Sequence, residues 1–177
     1  MAKGIVEADL GRVKALLENV LGHSDYRDIQ RMGGLTNRTY RVEFPDGSRC
    51  MVRIPGEGTE ELIDRSDEKV STELACAIGI DAKLYYFGAD GAKVSEFVPN
   101  AVTMSAETMR EDKRIRQAAR LLKTLHGSVK DTGVKFEVFD MAAGYEKIIE
   151  ENAVYMYPDY AQVKAAVMDI KAQIDET

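Results

Sequence analysis

Hydrophobic positions fall into two regimes along this chain. Up to Pro99 helical and alternating spacings take turns; beyond it only helical spacing remains. Val6, Leu10, Val13, Leu17, Val20 and Leu21 recur every three or four residues, and Gly22 stands where a C-terminal cap belongs, so the chain is predicted to open with an amphipathic helix. A short polar strand is expected near Tyr26 to Met32. From Thr39 to Phe44 the residues Tyr40, Val42 and Phe44 share one face; after the turn Pro45-Asp46-Gly47 the alternation resumes in Cys50, Val52 and Ile54, which makes an antiparallel hairpin. Gly56 to Asp64 reads as a loop. Val70, Leu74, Ala77 and Ile78 then mark a helix closing near Gly79. Leu84 to Phe87 and Ala92 to Phe97 flank Ala89-Asp90-Gly91 as a second hairpin.

Downstream, Ser105 is predicted to cap a helix carrying Ile115, Ala118, Ala119, Leu122 and Leu125 and ending at Gly127. Tyr145, Ile148 and Ile149 mark another helix. Tyr160, Val163, Val167, Ile170 and Ile174 mark a third, beginning near Pro158. The expected fold class is α+β: a five-stranded antiparallel sheet with a helix between strands three and four, joined by a short hinge to helices. The boundary falls at Val98-Pro99 and divides 1–98 from 99–177. There is no internal repeat and no low-complexity tract.

Composition narrows the function more than the fold. The 177 residues, 45% of them hydrophobic, suffice for one domain or for a small lobe with a helical extension. A net charge of −6 argues against a nucleic-acid binder, which needs a basic face for phosphates. Cys50 and Cys76 are the two cysteines, too few for a disulfide scaffold, and are expected to be reduced thiols without a catalytic role. The amino terminus carries no apolar run like a signal peptide, and no stretch reaches the ~18 apolar residues of a membrane span. A cytoplasmic protein is the expectation.

Candidate chemistry lies between Met32 and Arg65. A phosphoryl-transfer site must place a polyanion and neutralise its charge, using a mobile hairpin loop, a cation from strand three and an acid on the next helix. Gly33 and Gly34 lie between two predicted strands, where small residues let backbone N–H groups approach phosphate, and Thr36 and Asn37 add side-chain donors; a plain hairpin turn is the alternative. Arg53 ends strand three, where a cation reaches phosphates, and Met51 two residues earlier points to the same face, over an adenine. A solvated surface arginine is the rival reading. Glu68 on the following helix can orient Arg53, with Glu73 as runner-up. Glu96-Phe97-Val98 ends strand five, where the Glu96 carbonyl and the Val98 N–H can read an adenine edge.

At these residues the chain resembles the bacterial branch of the choline/ethanolamine kinase family, which shares its fold with aminoglycoside phosphotransferases and protein kinases. The strings are Gly33-Gly34-Leu35-Thr36-Asn37-Arg38 with Tyr40, Val52-Arg53-Ile54-Pro55-Gly56, Gly58-Thr59-Glu60, Leu62-Ile63-Asp64-Arg65, and Leu121 to His126. The resemblance implies a protein-kinase-like amino-terminal lobe in which the loop from Gly33 to Asn37, Leu35 included, covers ATP phosphates. It further implies that Arg53 pairs with Glu68, that Glu96 to Val98 is the hinge, and that choline or a similar amino alcohol is phosphorylated with ATP and Mg²⁺.

That family's catalytic loop carries an Asp two residues after a His or equivalent, an Asn five residues later, and then an acidic metal-binding motif. Here His126 is followed two positions on by Ser128, and no D-x-D, D-x-E or D-F-G occurs. No catalytic residue and no metal ligand is therefore assigned; His126 reads as a helix-terminal residue near last-turn carbonyls. The chain reads as the amino-terminal lobe, hinge and first helices of an incomplete carboxy-terminal lobe, inactive alone, with the metal ligands and most of the choline pocket expected elsewhere. Apolar stripes such as Ile115, Leu122 and Leu125 lead to an expectation of self-association. An enzyme acting on an aminoglycoside or a sugar, and a non-catalytic nucleotide-binding regulatory module, are the rival readings.

Overall fold

A computed structural model describes residues 7–34, 36–60, 62–128 and 132–175. They form two compact units, one up to Val134 and one from Lys135 onward. That division lies downstream of Val98-Pro99, while the change to all-helical character at Pro99 is present: every described element after residue 96 is helical.

The first unit opens with helix α1 (Glu7–Leu21). Glu7 and Asp9 place negative charge at its amino terminus, and Gly22, at φ 77°, ends it by bonding its N–H to the Glu18 carbonyl at 3.0 Å. Five strands follow: β1 (Asp28–Arg31), β2 (Asn37–Glu43), β3 (Arg49–Pro55), β4 (Leu84–Phe87) and β5 (Lys93–Glu96). They make one antiparallel sheet in the order β1-β2-β3-β5-β4. Helix α2 (Arg65–Ala77) intervenes between β3 and β4; Asp64 caps it, accepting from the N–H groups of Ser66 and Asp67 at 2.9 and 3.1 Å.

Alternation along the strands divides the sheet into two chemically different faces. Tyr40, Val42, Cys50, Val52, Ile54 and Val94 are buried on one face together with Val13 and Leu17 of α1, and this is the core. The other face carries Thr39, Met51, Arg53, Lys93 and Ser95. Register does the sorting: Val52 opposes Tyr40 and Val94, whereas Arg53 opposes Thr39 and Lys93.

After β5 comes a one-turn 3-10 helix (Thr108–Arg110), then α3 (Asp112–Ser128). Ser105 does not cap α3 as predicted. It caps the short turn instead, accepting from the Thr108 N–H while the Thr108 hydroxyl accepts from the Ser105 N–H at 2.7 Å. A capping hydroxyl reaches only the first N–H groups beyond it, and here those belong to the short turn. The second unit contains α4 (Val138–Glu151) and α5 (Tyr160–Asp175), tied by Glu146, which accepts from the Tyr160 hydroxyl at 2.5 Å and from Lys164 at 2.6 Å. No described helix is long and apolar enough to cross a membrane.

Ile54 is fully buried between α1 and the sheet. Truncation to alanine removes its contacts and leaves a void, so Ile54→Ala is expected to lower the unfolding free energy by about 3 kcal/mol. Urea denaturation measures this, and a loss below about 1 kcal/mol would mean that the core face is not packed as described.

Candidate functional site

The cleft-facing strand residues stand in two rows: Thr39, Arg53 and Lys93 in one, Arg41, Met51 and Ser95 in the next. All of these but Arg41, which pairs with Asp28, floor a cleft of about 520 Å³. Met32 closes it on one side, and Phe97, Val98, Asn100, Ala101 and Thr103 wall it where the chain leaves β5. Asn100 takes a positive φ of 58°, a conformation asparagine tolerates, and so reverses the chain beside the cleft. The lining is mostly apolar with cations at one end, which suits a flat apolar ring joined to an anion.

Strand register sets the length of this arrangement. Lys93 lies opposite Arg53, and Glu96 opposes Cys50 three residues further along. That separation is about 10 Å at strand rise, comparable to the span from an adenine edge to its first phosphates. Glu96, aligned with Cys50, turns its side chain to the face away from Met51 and Ser95, so its backbone is what borders the cleft.

Arg53 is almost fully committed. Its Nη1 donates to Glu68 Oε1, and its Nε and Nη2 both donate to the Gly91 carbonyl, at 3.1 and 2.7 Å. The guanidinium also lies 5.3 Å from the centroid of the Phe87 ring. Glu68 holds a second cation: Arg65 Nη1 donates to its other oxygen at 2.7 Å. Glu73, the runner-up, pairs instead with Lys69 at 3.9 Å on the exposed side of α2. Arg53 and Lys93 thus bring two positive charges to a cleft in a protein of net charge −6.

The glycine loop is held by close contacts of its own backbone. A Cβ on Gly34, at φ 144°, would lie 2.2 Å from the Asn37 carbonyl oxygen, and one on Gly56 would lie 2.4 Å from that of Thr36. Both glycines are therefore required by close approach of the backbone to itself. The Gly56 N–H donates to the Thr36 carbonyl at 3.0 Å, pinning the loop to the segment after β3. Thr36 and Asn37 line a separate polar pocket of about 380 Å³ with Gly56, Glu57, Gly58 and Thr59, and neither they nor Gly33 and Gly34 border the main cleft. Leu35 lies outside the described residues.

Arg65, which the sequence offers only as part of a family-like string, Lys93 and the Gly91 carbonyl have no site role predicted from sequence. Arg65 is buried against Gly91, where a Cβ would come within 2.6 Å of its Nε, and it also donates to the Thr59 hydroxyl at 2.6 Å. Thr59 passes a hydrogen bond to the Gly56 carbonyl at 2.8 Å. A continuous path therefore runs from Arg53 through Glu68, Arg65, Thr59 and Gly56 to Thr36. Burial pushes the Cys50 thiol up to about 11, and Cys76 donates to the Ala82 carbonyl at 3.0 Å. Among the described residues no three His, Cys, Asp or Glu side chains group as a metal site.

Residues 29–177 match the choline/ethanolamine kinase family, and the chain belongs to it. The choline kinase of Saccharomyces cerevisiae is 28% identical over 105 residues, which are 59% of this chain and 18% of that protein. Among solved structures, choline kinase LicA from Streptococcus pneumoniae aligns with a TM-score of 0.78 at 28% identity, covering 94% of this chain and 57% of that one. A LicA structure in complex with AMP aligns with the same TM-score at 29% identity, covering 94% and 57%. The chain thus spans little more than half of the solved relatives and a smaller share of the yeast protein. The sheet and α2 are the amino-terminal lobe of the protein-kinase-like fold.

Burial alone would push the Glu68 carboxyl up, but the hydrogen bonds and charges of Arg53 and Arg65 outweigh it and hold the group below its ordinary 4.5. A carboxyl depressed on folding contributes stability that is complete above its unfolded value and lost as pH falls through the folded one. Asp9 and Glu43 shift the same way. Glu68→Gln is expected to lower stability at neutral pH and to flatten the fall in stability below about pH 4.5, leaving the remainder to Asp9, Glu43 and the other depressed carboxyls Asp46, Asp64 and Glu146. Urea midpoints across that range check this; parallel curves for the two proteins would show that Glu68 is not coupled to the arginines.

Proposed function

We propose that this chain is the nucleotide-binding portion of an ATP-dependent choline or ethanolamine phosphotransferase. The observation that carries the proposal is Arg53, fixed by Glu68 and the Gly91 carbonyl at one end of an apolar cleft whose other end is the 96–98 backbone. In this reading Met51, Phe97 and Val98 enclose the adenine, and the Glu96 carbonyl and Val98 N–H read its edge. The phosphates extend toward Arg53 and Lys93, beside Met32 and Thr39, the cleft residues that flank the glycine loop. AMP bound to a LicA structure supports an adenine nucleotide over other anions.

Arg53 orients and neutralises; it abstracts no proton. Transfer also requires a group that accepts the alcohol's proton and, in this family of reactions, Mg²⁺, which would supply charge neutralisation at the phosphates. No H-x-D-x-x-x-x-N string is present. The chain by itself is therefore proposed to bind nucleotide weakly and to be inactive, and choline or a related amino alcohol is proposed as the substrate of the whole protein. Calorimetric titration with ATP is expected to give a dissociation constant above the micromolar range. Arg53→Met should weaken it by a further factor of about ten through loss of a charge-assisted contact. Micromolar or tighter binding, or affinity indifferent to Arg53→Met, would reject the proposal.

The α3 face is proposed to bring copies of this chain together. Ile115 and Leu122 are 45% and 53% exposed, and Leu121 beside them 50%. Light scattering should report a mass above the monomer, reduced by Leu122→Glu, because an apolar stripe of this kind is stabilised by being covered. A clean monomer at high concentration would overturn this.

A further inference from the structure

Helix α1 lies on the core face of the sheet, away from the cleft, yet its polar side chains reach the loops at the cleft's cationic end. Strand register places those loops together. The start of β2, where Asn37 and Arg38 oppose Pro55 and Ile54, the end of β3 at Arg53, and the start of β5 at Lys93 all share one end of the sheet. Asp9 sits one helical turn before the core residue Val13 and is 1% exposed. It accepts from Arg38 Nε at 2.6 Å, from Arg38 Nη2 at 2.9 Å and from the Tyr40 hydroxyl at 2.6 Å. Burial opposes its charge, but these donors outweigh burial and keep the carboxyl below its ordinary 3.8.

Arg38 directly follows Thr36 and Asn37 and is the last residue of the glycine string. Two parallel bonds from its planar fork fix both its position and its orientation, which a single bond would not. A turn further along α1, Arg12 reaches Asp90 at 3.0 Å, in the same turn as the Gly91 carbonyl that holds Arg53. That second pair is half exposed and screened, so it contributes little. The weight rests on Asp9.

We propose that Asp9 is a positioning residue for the glycine loop, with α1 acting as a strut that sets, through Arg38, where Thr36 and Asn37 stand relative to the nucleotide phosphates. This rests on the nucleotide reading above. It differs from a purely stabilising role in one respect: loss of the strut should weaken binding of the phosphates and spare the adenine end, which Arg38 does not touch.

The test compares ATP with adenosine on the full chain, by NMR titration suited to weak ligands. Asp9→Asn is expected to reduce ATP affinity about tenfold through lost preorganisation of the loop, with adenosine affinity unchanged. Val13→Ala, which disturbs the packing of α1 without touching Arg38, should leave the ratio of the two affinities as in the parent. An unchanged ratio in Asp9→Asn, or an equal change in Val13→Ala, overturns the proposal. If Asp9→Asn does not fold, Arg38→Lys keeps the charge but removes the fork and is read by the same ratio. Amide exchange of residues 36–40 supplies a readout without ligand: Asp9→Asn should lose protection there before β3 and β5 do, and uniform loss across the sheet would overturn the strut. If the parent chain binds neither compound, the nucleotide reading fails, and the exchange pattern still decides whether Asp9 holds the loop.

Discussion

Glu68 accepts from two guanidiniums at once, and the shape of the cleft follows from that. Arg53 belongs to β3 and Arg65 to the first turn of α2, so one carboxylate fixes the helix against the strand. Taking such a group out of water is costly, and the cost is met only while both partners are present. With one anion between two cations, the cluster also keeps a net positive charge. In the proposed nucleotide site the electrostatic requirement of a polyanion and the mechanical requirement of docking α2 fall on the same side chains.

The string from Arg53 to Arg65 gains a structural meaning from this arrangement. Gly56, Thr59 and Arg65 are successive stations of one hydrogen-bonded path that begins at the cleft cation and ends on the carbonyl of Thr36. Gly56, Thr59 and Arg65 therefore work as a buckle joining the glycine loop to the helix. Asp9 closes the same loop from the opposite face of the sheet.

Much of the frame is legible in the sequence because it is written in short-range periodicity. Alternation in 49–55 puts Arg53 and Met51 on one face and Cys50, Val52 and Ile54 on the other, and helical spacing puts Glu68 and Glu73 on different sides of α2. What periodicity does not encode is which distant group completes a site. The Gly91 carbonyl is 38 residues from Arg53, and Asp9 is 29 from Arg38; each contact exists only once the sheet has assembled. Lys93 escapes notice for a related reason, since its importance comes from standing across the ladder from Arg53. Ser105 shows the local counterpart: its capping chemistry is readable, but which of two successive helical turns receives it depends on where the backbone bends.

The close backbone approaches at Gly34 and Gly56 carry a consequence for how family sequences are interpreted. Each glycine is matched to a main-chain oxygen only 2.2 or 2.4 Å from where a methyl group would begin. Invariance at such positions across an alignment would ordinarily be credited to contact with a bound molecule, particularly at Gly34 on an open loop. Here selection against larger residues needs no ligand, so a degenerate relative that had abandoned its chemistry would still be obliged to retain both.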